Sequence, residues 1–310
     1  MKNKFLYIIV ILLFTFSCNN KNNSEESEDL GLNANQSVPK DIVINENLIQ
    51  ITDSIFSIRN KKKILSSISI WEFDKGFLKL SSLKSYKNDS VTYSVRSECD
   101  NYGRVIKVLI TNPKSKELEI WDRLYDKYGN QTQLVAFKTP IIDSTMNVEI
   151  LDYVYQYENE KIIKKTTTFG TPPRVLEEAD YAYDDRSNEI QRINTSDLGK
   201  FKTDNIYDGD DNLIETINVN MKDNSIAFQI KHIYKNGLLV KTINGKGDNY
   251  IEPTERIYEY NENGDLVKES APWEIIIYSN YDSFGNWTKK EYYTRDNDLQ
   301  EVSSRTVIYK

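Results

Sequence analysis

One histidine, His232, and two cysteines, Cys18 and Cys99, are all this sequence holds of the side chains that most often bind metals or serve as base and nucleophile. A multi-histidine zinc site is thereby excluded, and Ser-His-Asp or Cys-His chemistry could draw only on His232. That residue lies in Ile226-Ala227-Phe228-Gln229-Ile230-Lys231-His232-Ile233-Tyr234 and shares a strand face with Ile226, Phe228, Ile230 and Tyr234. It reads as a partly buried structural side chain. A phosphate-cradling loop is also lacking, since Gly245-Lys246-Gly247 has none of the flanking residues such a loop needs. The longest apolar run, Phe5 to Phe16, is too short for a spanning helix.

Positive charge is scarce as well. The chain carries 40 Lys and Arg against 47 Asp and Glu, a formal charge of −7. Cleavage of a leader containing Lys2 and Lys4 leaves 38 basic side chains against 47 acidic ones, or −9. No nucleic-acid partner is expected, because such binders need a basic face to displace phosphate counterions.

What is present in quantity is tyrosine, 21 residues in 310. Near the end of the chain, Tyr281-Asp282-Ser283-Phe284-Gly285-Asn286-Trp287 shows why. An aromatic residue closes a strand, an Asp-x-x-Gly turn reverses it, and a new strand begins. Asp or Asn at the first turn position can bond its own backbone two residues on, and glycine at the fourth accepts positive φ. Tyrosine and β-branched residues suit the flanking strands.

The residue before each turn falls at Phe73, Cys99, Tyr125, Tyr157, Tyr183, Tyr207, Tyr234, Tyr260 and Tyr281, in steps of 21 to 32 residues. Gly103, Gly129, Gly237, Gly264 and Gly285 are the structural turn residues. Glu160, Ser187 and Asp211 stand near the glycine position in three other units. The fold class expected is all-β: an antiparallel up-and-down meander of about nine hairpins, curled into a barrel-like or half-barrel sheet. Short turns line one edge, with longer loops such as Asn112 to Lys116, Lys138 to Met146 and Gly245 to Pro253 on the other. Ile42 to Lys63 fits neither the helical nor the strand period.

Three segments are expected: a signal peptide over residues 1–17, a disordered tether over 18–40, and a β-domain over 41–310 with hairpin repeats from about 64. Phe14-Thr15-Phe16-Ser17-Cys18 resembles the lipobox of bacterial lipoproteins, with Thr15 where that pattern prefers leucine. The resemblance implies lipid attachment at Cys18, and two or more acyl chains anchor stably. Asn19 after the cysteine resembles lipoproteins of the outer membrane, and the acidic run Ser24 to Asp29 resembles a surface-export signal. The expected location is the outer membrane, surface-exposed or facing the periplasm.

Tyr125-Asp126-Lys127-Tyr128-Gly129-Asn130 and Tyr281 to Trp287 resemble the YD-repeat (Rhs-type) family, and degraded copies extend the resemblance over roughly residues 64–310. The resemblance implies an extended antiparallel sheet that curls on itself and implies no activity. In large Rhs proteins the repeats form a shell around a separate toxin domain, a function not carried over here.

Period-two spacing puts Tyr155 and Tyr157, Tyr181 and Tyr183, and Tyr258 and Tyr260 on one face, where neighbouring hairpins gather them into a band. Such a band either stacks on a glycan or acyl ligand or serves as a cross-strand aromatic ladder. Neither a metal nor another cofactor is expected. Asp208, Asp210 and Asn212 have calcium-loop spacing, but Leu213 and Val219 occupy its glycine and acidic positions. Asp53-Ser54-Ile55, Asp89-Ser90-Val91 and Asp143-Ser144-Thr145 resemble a short O-glycosylation motif of exported bacterial proteins. The functional reading is a non-enzymatic lipoprotein, a binding or scaffold module anchored to the membrane through its lipid and contacting a protein or glycan partner. The alternatives are a lipid or glycan carrier using the concave aromatic face, and a hydrolase using carboxylates of neighbouring strands.

Overall fold

The computed structural model describes residue 44 and residues 46–59, 61–87, 90–112, 117–140, 147–246 and 253–310. Cys18, the expected leader and tether, the three longer loops and two of the Asp-Ser motifs, at Asp89 and Asp143, lie outside or partly outside the described residues.

The described residues form strands joined by turns. The first five strands are β1 (Leu48–Arg59), β2 (Lys62–Asp74), β3 (Phe77–Lys87), β4 (Ser90–Cys99) and β5 (Val105–Asn112). Next come β6 (Glu117–Tyr125), β7 (Gln131–Pro140), β8 (Asn147–Glu158), β9 (Lys161–Phe169) and β10 (Arg174–Tyr183). They are followed by β11 (Glu189–Ser196), β12 (Gly199–Tyr207), β13 (Leu213–Asn220), β14 (Ile226–Lys235) and β15 (Leu238–Lys246). The last five are β16 (Thr254–Tyr260), β17 (Leu266–Ala271), β18 (Glu274–Tyr281), β19 (Trp287–Thr294) and β20 (Leu299–Tyr309).

Each strand pairs antiparallel with the next, and β20 returns to pair with β1. The sheet is a closed up-and-down barrel. Of the expected barrel-like or half-barrel sheet of about nine hairpins, the half-barrel and the hairpin number are corrected: the described residues form twenty strands, hence ten hairpins, and among them the sheet has no free edge. The reason lies in β1. An extra residue of β1, Ile49, between Leu48 and Gln50 in the pairing with β20 shifts the phase of its alternation, so that Leu48 and Ile51, three positions apart, are both buried and its apolar residues match no single period. With β2 it forms the extra hairpin, and its outer edge receives β20 with Ile51 opposite Val307 and Asp53 opposite Arg305.

In many strands one face is less exposed than the other. In β16, Thr254, Arg256, Tyr258 and Tyr260 are half-buried, while Glu255, Ile257 and Glu259 between them are exposed. Side chains crowd on the concave side of a closed sheet and splay on the convex side, so the half-buried set lines the lumen. Apolar packing concentrates where β20 meets the first strands. Leu48, Ile51, Trp71, Phe73 and Leu78 form one cluster, and Val95, Val105 and Val108 a second, with Cys99 against both. Close backbone approaches between strands all involve hydrogen-bonded neighbours. A barrel this wide is not filled from wall to wall by side chains; barrels of 16–18 strands already leave an aqueous channel.

Candidate ligand-binding face of the barrel

The tyrosine band is built from the turns upward. In the turn after β4, Asp100 Oδ1 accepts the backbone N–H groups of Tyr102 (2.8 Å) and Arg104 (3.0 Å). The same pair of bonds recurs at Asp126, Asp184, Asp208, Asn261 and Asp282. The fourth turn residue takes positive φ, 78° at Gly103 and 91° at Gly129, and Ser187 and Asp211 adopt 73° and 63° in its place. Gly237, Gly264 and Gly285 have φ of 77°, 88° and 86°.

A tyrosine at or near the end of the next hairpin then reaches back to the strand start after the turn before it. Tyr125 donates its hydroxyl to the Val105 carbonyl (2.6 Å), Tyr155 to Gln131 (2.9 Å), Tyr183 to Ile162 (3.0 Å) and Tyr260 to Leu239 (2.8 Å). After the two strongest turns the clasp is fuller. Tyr157 donates to Asp126 Oδ2 and accepts from Asn130 Nδ2 (2.8 Å). Tyr309 does the same with Asp282 Oδ2 (2.7 Å) and Asn286 Nδ2 (2.7 Å). The aromatic in the middle of each turn packs on the clasped ring, Tyr128 on Tyr157 at 4.6 Å and Phe284 on Tyr309 at 4.3 Å between centroids. Thus the Asp, the aromatic, the Asn and the following Tyr form one unit that locks successive hairpins together.

Of the six tyrosines read as candidate ligand contacts, Tyr155, Tyr157, Tyr183 and Tyr260 spend their hydroxyls on this clasp. Their rings still face the lumen. Tyr181 lies under the Arg192 guanidinium, 5.9 Å from ring centroid to Cζ, and Tyr258 stands opposite Glu269. Burial pushes the Tyr181 phenol up to about 12, and burial also raises Tyr155 and Tyr157. These rings are neutral at any physiological pH.

No family model and no curated protein matches the chain. Among solved structures, a porin-like protein from Bacteroides uniformis aligns at 11% identity over 84% of this chain and 98% of its own, with a TM-score of 0.35. The TcdB2-TccC3-Cdc42 complex aligns at 12% identity over 81% of this chain, with a TM-score of 0.33. The Tc holotoxin pore of Photorhabdus luminescens aligns at 11% over 83%, with a TM-score of 0.28. This chain spans less than a fifth of the two toxin chains' length, 17% and 18%.

Between the tyrosines the lumen wall carries charge that the sequence reading did not single out. Lys165 sits 4.9 Å from the Tyr153 ring centroid, and Arg192 Nε lies 3.3 Å from Glu189 Oε1. Burial pulls the Lys165 ammonium down, with Glu177 pulling the other way. Burial lifts Glu177 against Lys165 and Arg192, and lifts Glu189 against Arg192. Each carboxylate is therefore set by burial and cations, not by the other carboxylate. Farther round, Arg256 pairs with Glu269 (3.0 Å) and with Glu274. The available signal was alternation: Arg123 lies two residues before Tyr125 and Arg256 two before Tyr258, on the tyrosine face.

The other candidates resolve into structure. His232 Nδ1 lies 3.2 Å from Thr242 Oγ1, and burial lowers its pKa. Asp208 uses Oδ1 on the turn backbone and Oδ2 on Asn212 Nδ2 (3.0 Å). Among the described residues no group of three or more His, Cys, Asp or Glu is placed to hold a metal ion. On the outer face, strands β2 to β5 border a groove of about 470 Å³ edged by Glu72, Lys84 and Arg96.

Proposed function

We propose that this protein is a lipid-anchored barrel of the bacterial outer membrane that binds its partner or ligand without transforming it. The observation that carries the reading is the division of labour between the two faces. The concave wall combines neutral tyrosine rings with half-buried cations and carboxylates, the mixture that holds a polar ligand by stacking and hydrogen bonds. The convex wall is laced with cross-strand ion pairs. Lys241 meets Glu255 (2.8 Å), Lys268 meets Glu259 (2.7 Å) and Lys164 meets Glu178 (3.1 Å), and Lys202 meets Asp204 two residues along β12 (2.7 Å).

A lysine on the lipid face of a membrane barrel costs about 2–4 kcal/mol at the bilayer midplane. An outer wall so charged suits water, which favours attachment through Cys18 over passage through the bilayer. The chain enters the barrel at the turn edge, where the Lys310 N–H bonds the Asn47 carbonyl (2.8 Å). A lipid tether would therefore hang from that rim.

Three measurements test the proposal. Cys18→Ala should move the protein from the membrane to the soluble fraction, and protease shaving of intact cells tells which side it faces. Native mass spectrometry of the purified chain should reveal a bound glycan or acyl compound if the lumen is a carrier site. A Cys18→Ala chain that stays in the membrane sinks the lipid-anchor reading.

A further inference from the structure

We infer that Arg123 is the anchor of an oxyanion-binding point on the lumen wall, taking a carboxylate or phosphate group of the ligand. The inference rests on the lumen-binding reading above and names the chemistry of what binds there. Arg123 is 5% exposed and sits on β6, with Leu134 of β7 opposite. Its Nε is buried with no hydrogen-bond partner. Among the described residues no carboxylate forms an ion pair with it.

Other arginines of the barrel differ in this respect. Arg305 has Asp53, Arg256 has Glu269 and Glu274, Arg192 has Glu189, and Arg104 has Asp100. The groups around Arg123 supply no negative charge. The Cys99 thiol is pushed up to about 12, chiefly by burial, and stays protonated. The Tyr125 and Tyr153 phenols are likewise raised by burial. The nearest carboxylates that act on those tyrosines, Asp100 and Glu177, are engaged by Arg104 and by Lys165 with Arg192.

A guanidinium cannot shed its proton at physiological pH, so burial leaves Arg123 with a charge that no carboxylate among the described residues balances. Its planar fork matches two oxygens of a carboxylate or phosphate, and the flanking tyrosine rings offer faces for the rest of the ligand.

The test uses the purified full chain at constant ionic strength, with inorganic phosphate and glucuronic acid as probes and glucose as the neutral control. Tm should rise with either anion and not with glucose, because a ligand that binds only the folded state stabilises it. Arg123→Gln should lose the rise. Should that variant not fold, Arg123→Lys keeps the charge without the fork, and a weakened response supports the site while a full response overturns it. No rise in the unmodified chain, or an equal rise in Arg123→Gln, also overturns it. Asn194 lies on β11 two residues beyond Arg192, on the same face, and reaction of Asn194→Cys with a neutral maleimide, in a background with Cys18→Ala and Cys99→Ala, separates the two readings. Labelling without an anion response leaves the lumen open and removes only the oxyanion point, whereas a shielded cysteine removes both.

Discussion

Arg305 of β20 grips Asp53 of β1 through two parallel hydrogen bonds, Nε to Oδ1 at 2.7 Å and Nη2 to Oδ2 at 2.8 Å. The partners are 252 residues apart in sequence and directly opposite in the register where the last strand meets the first. The guanidinium also lies over Trp287, 3.6 Å from Cζ to the ring centroid. Both side chains are nearly withdrawn from water, at 1% and 10% exposure. The pair therefore marks the seam that turns a sheet into a barrel.

Removing one partner strands the other charge in the wall. Arg305→Met should cost about 3–5 kcal/mol, and the double replacement Asp53→Leu with Arg305→Met should recover much of the loss. Urea unfolding followed by tryptophan fluorescence reads this directly, since Trp287 borders the pair. A single replacement with no effect on the midpoint rules out the pair as a clasp of the seam.

The tyrosine clasps are graded by what they reach. Tyr260→Phe removes a neutral hydrogen bond to the Leu239 carbonyl and should cost about 0.5–1.5 kcal/mol. Tyr157→Phe removes a bond to the Asp126 carboxylate and should cost more, about 1.5–3 kcal/mol. Denaturant titration of the two variants side by side checks the order.

Two turn glycines separate backbone strain from crowding. Gly264 has φ of 88° with open space where a Cβ would stand, so Gly264→Ala should cost about 1 kcal/mol. Gly103 has φ of 78°, and its Cβ would meet the Leu78 amide nitrogen at 3.3 Å. Gly103→Ala should lower Tm further than Gly264→Ala; equal shifts would falsify the crowding argument.

The turn carboxylates predict how stability falls in acid. The Asn212 side-chain amide, then the Asn212 and Asp210 backbone N–H groups, hold Asp208 below the usual carboxylate range. At Asp100 and Asp282 burial works the other way, yet hydrogen bonds leave both lowered. A depressed folded pKa stabilises above the unfolded value, about 3.9, and that gain is lost as pH falls through the folded value. Tm should therefore drop below about pH 4. Asp208→Asn keeps the turn bonds, as Asn261 does, and should flatten its share of that drop. An unchanged acid limb in the variant argues against this origin.

Turns and strands were legible because their chemistry is local. An Asp that caps its own turn, a residue that tolerates positive φ, and a tyrosine on a pleated face act within about five residues, so each hairpin announces itself. The tyrosine face was legible for the same reason, since alternation along one strand assigns it. The clasp roles of Tyr155, Tyr157, Tyr183 and Tyr260 were not, because each hydroxyl bonds a residue about 20 to 30 positions away across a strand pair.

Taken alone, the amino-acid sequence determined the repeated strand-turn-strand units, their order and the side each tyrosine takes. Closure was decided only in three dimensions. The bulge in β1 hides its alternation, and its two strand partners lie at opposite ends of the chain, so no local pattern marks the seam. The lumen wall was decided there as well. Arg123, Tyr153, Lys165, Glu177 and Arg192 come from five different strands, and whether a charge finds its counterion depends on register and curvature summed over the whole sheet.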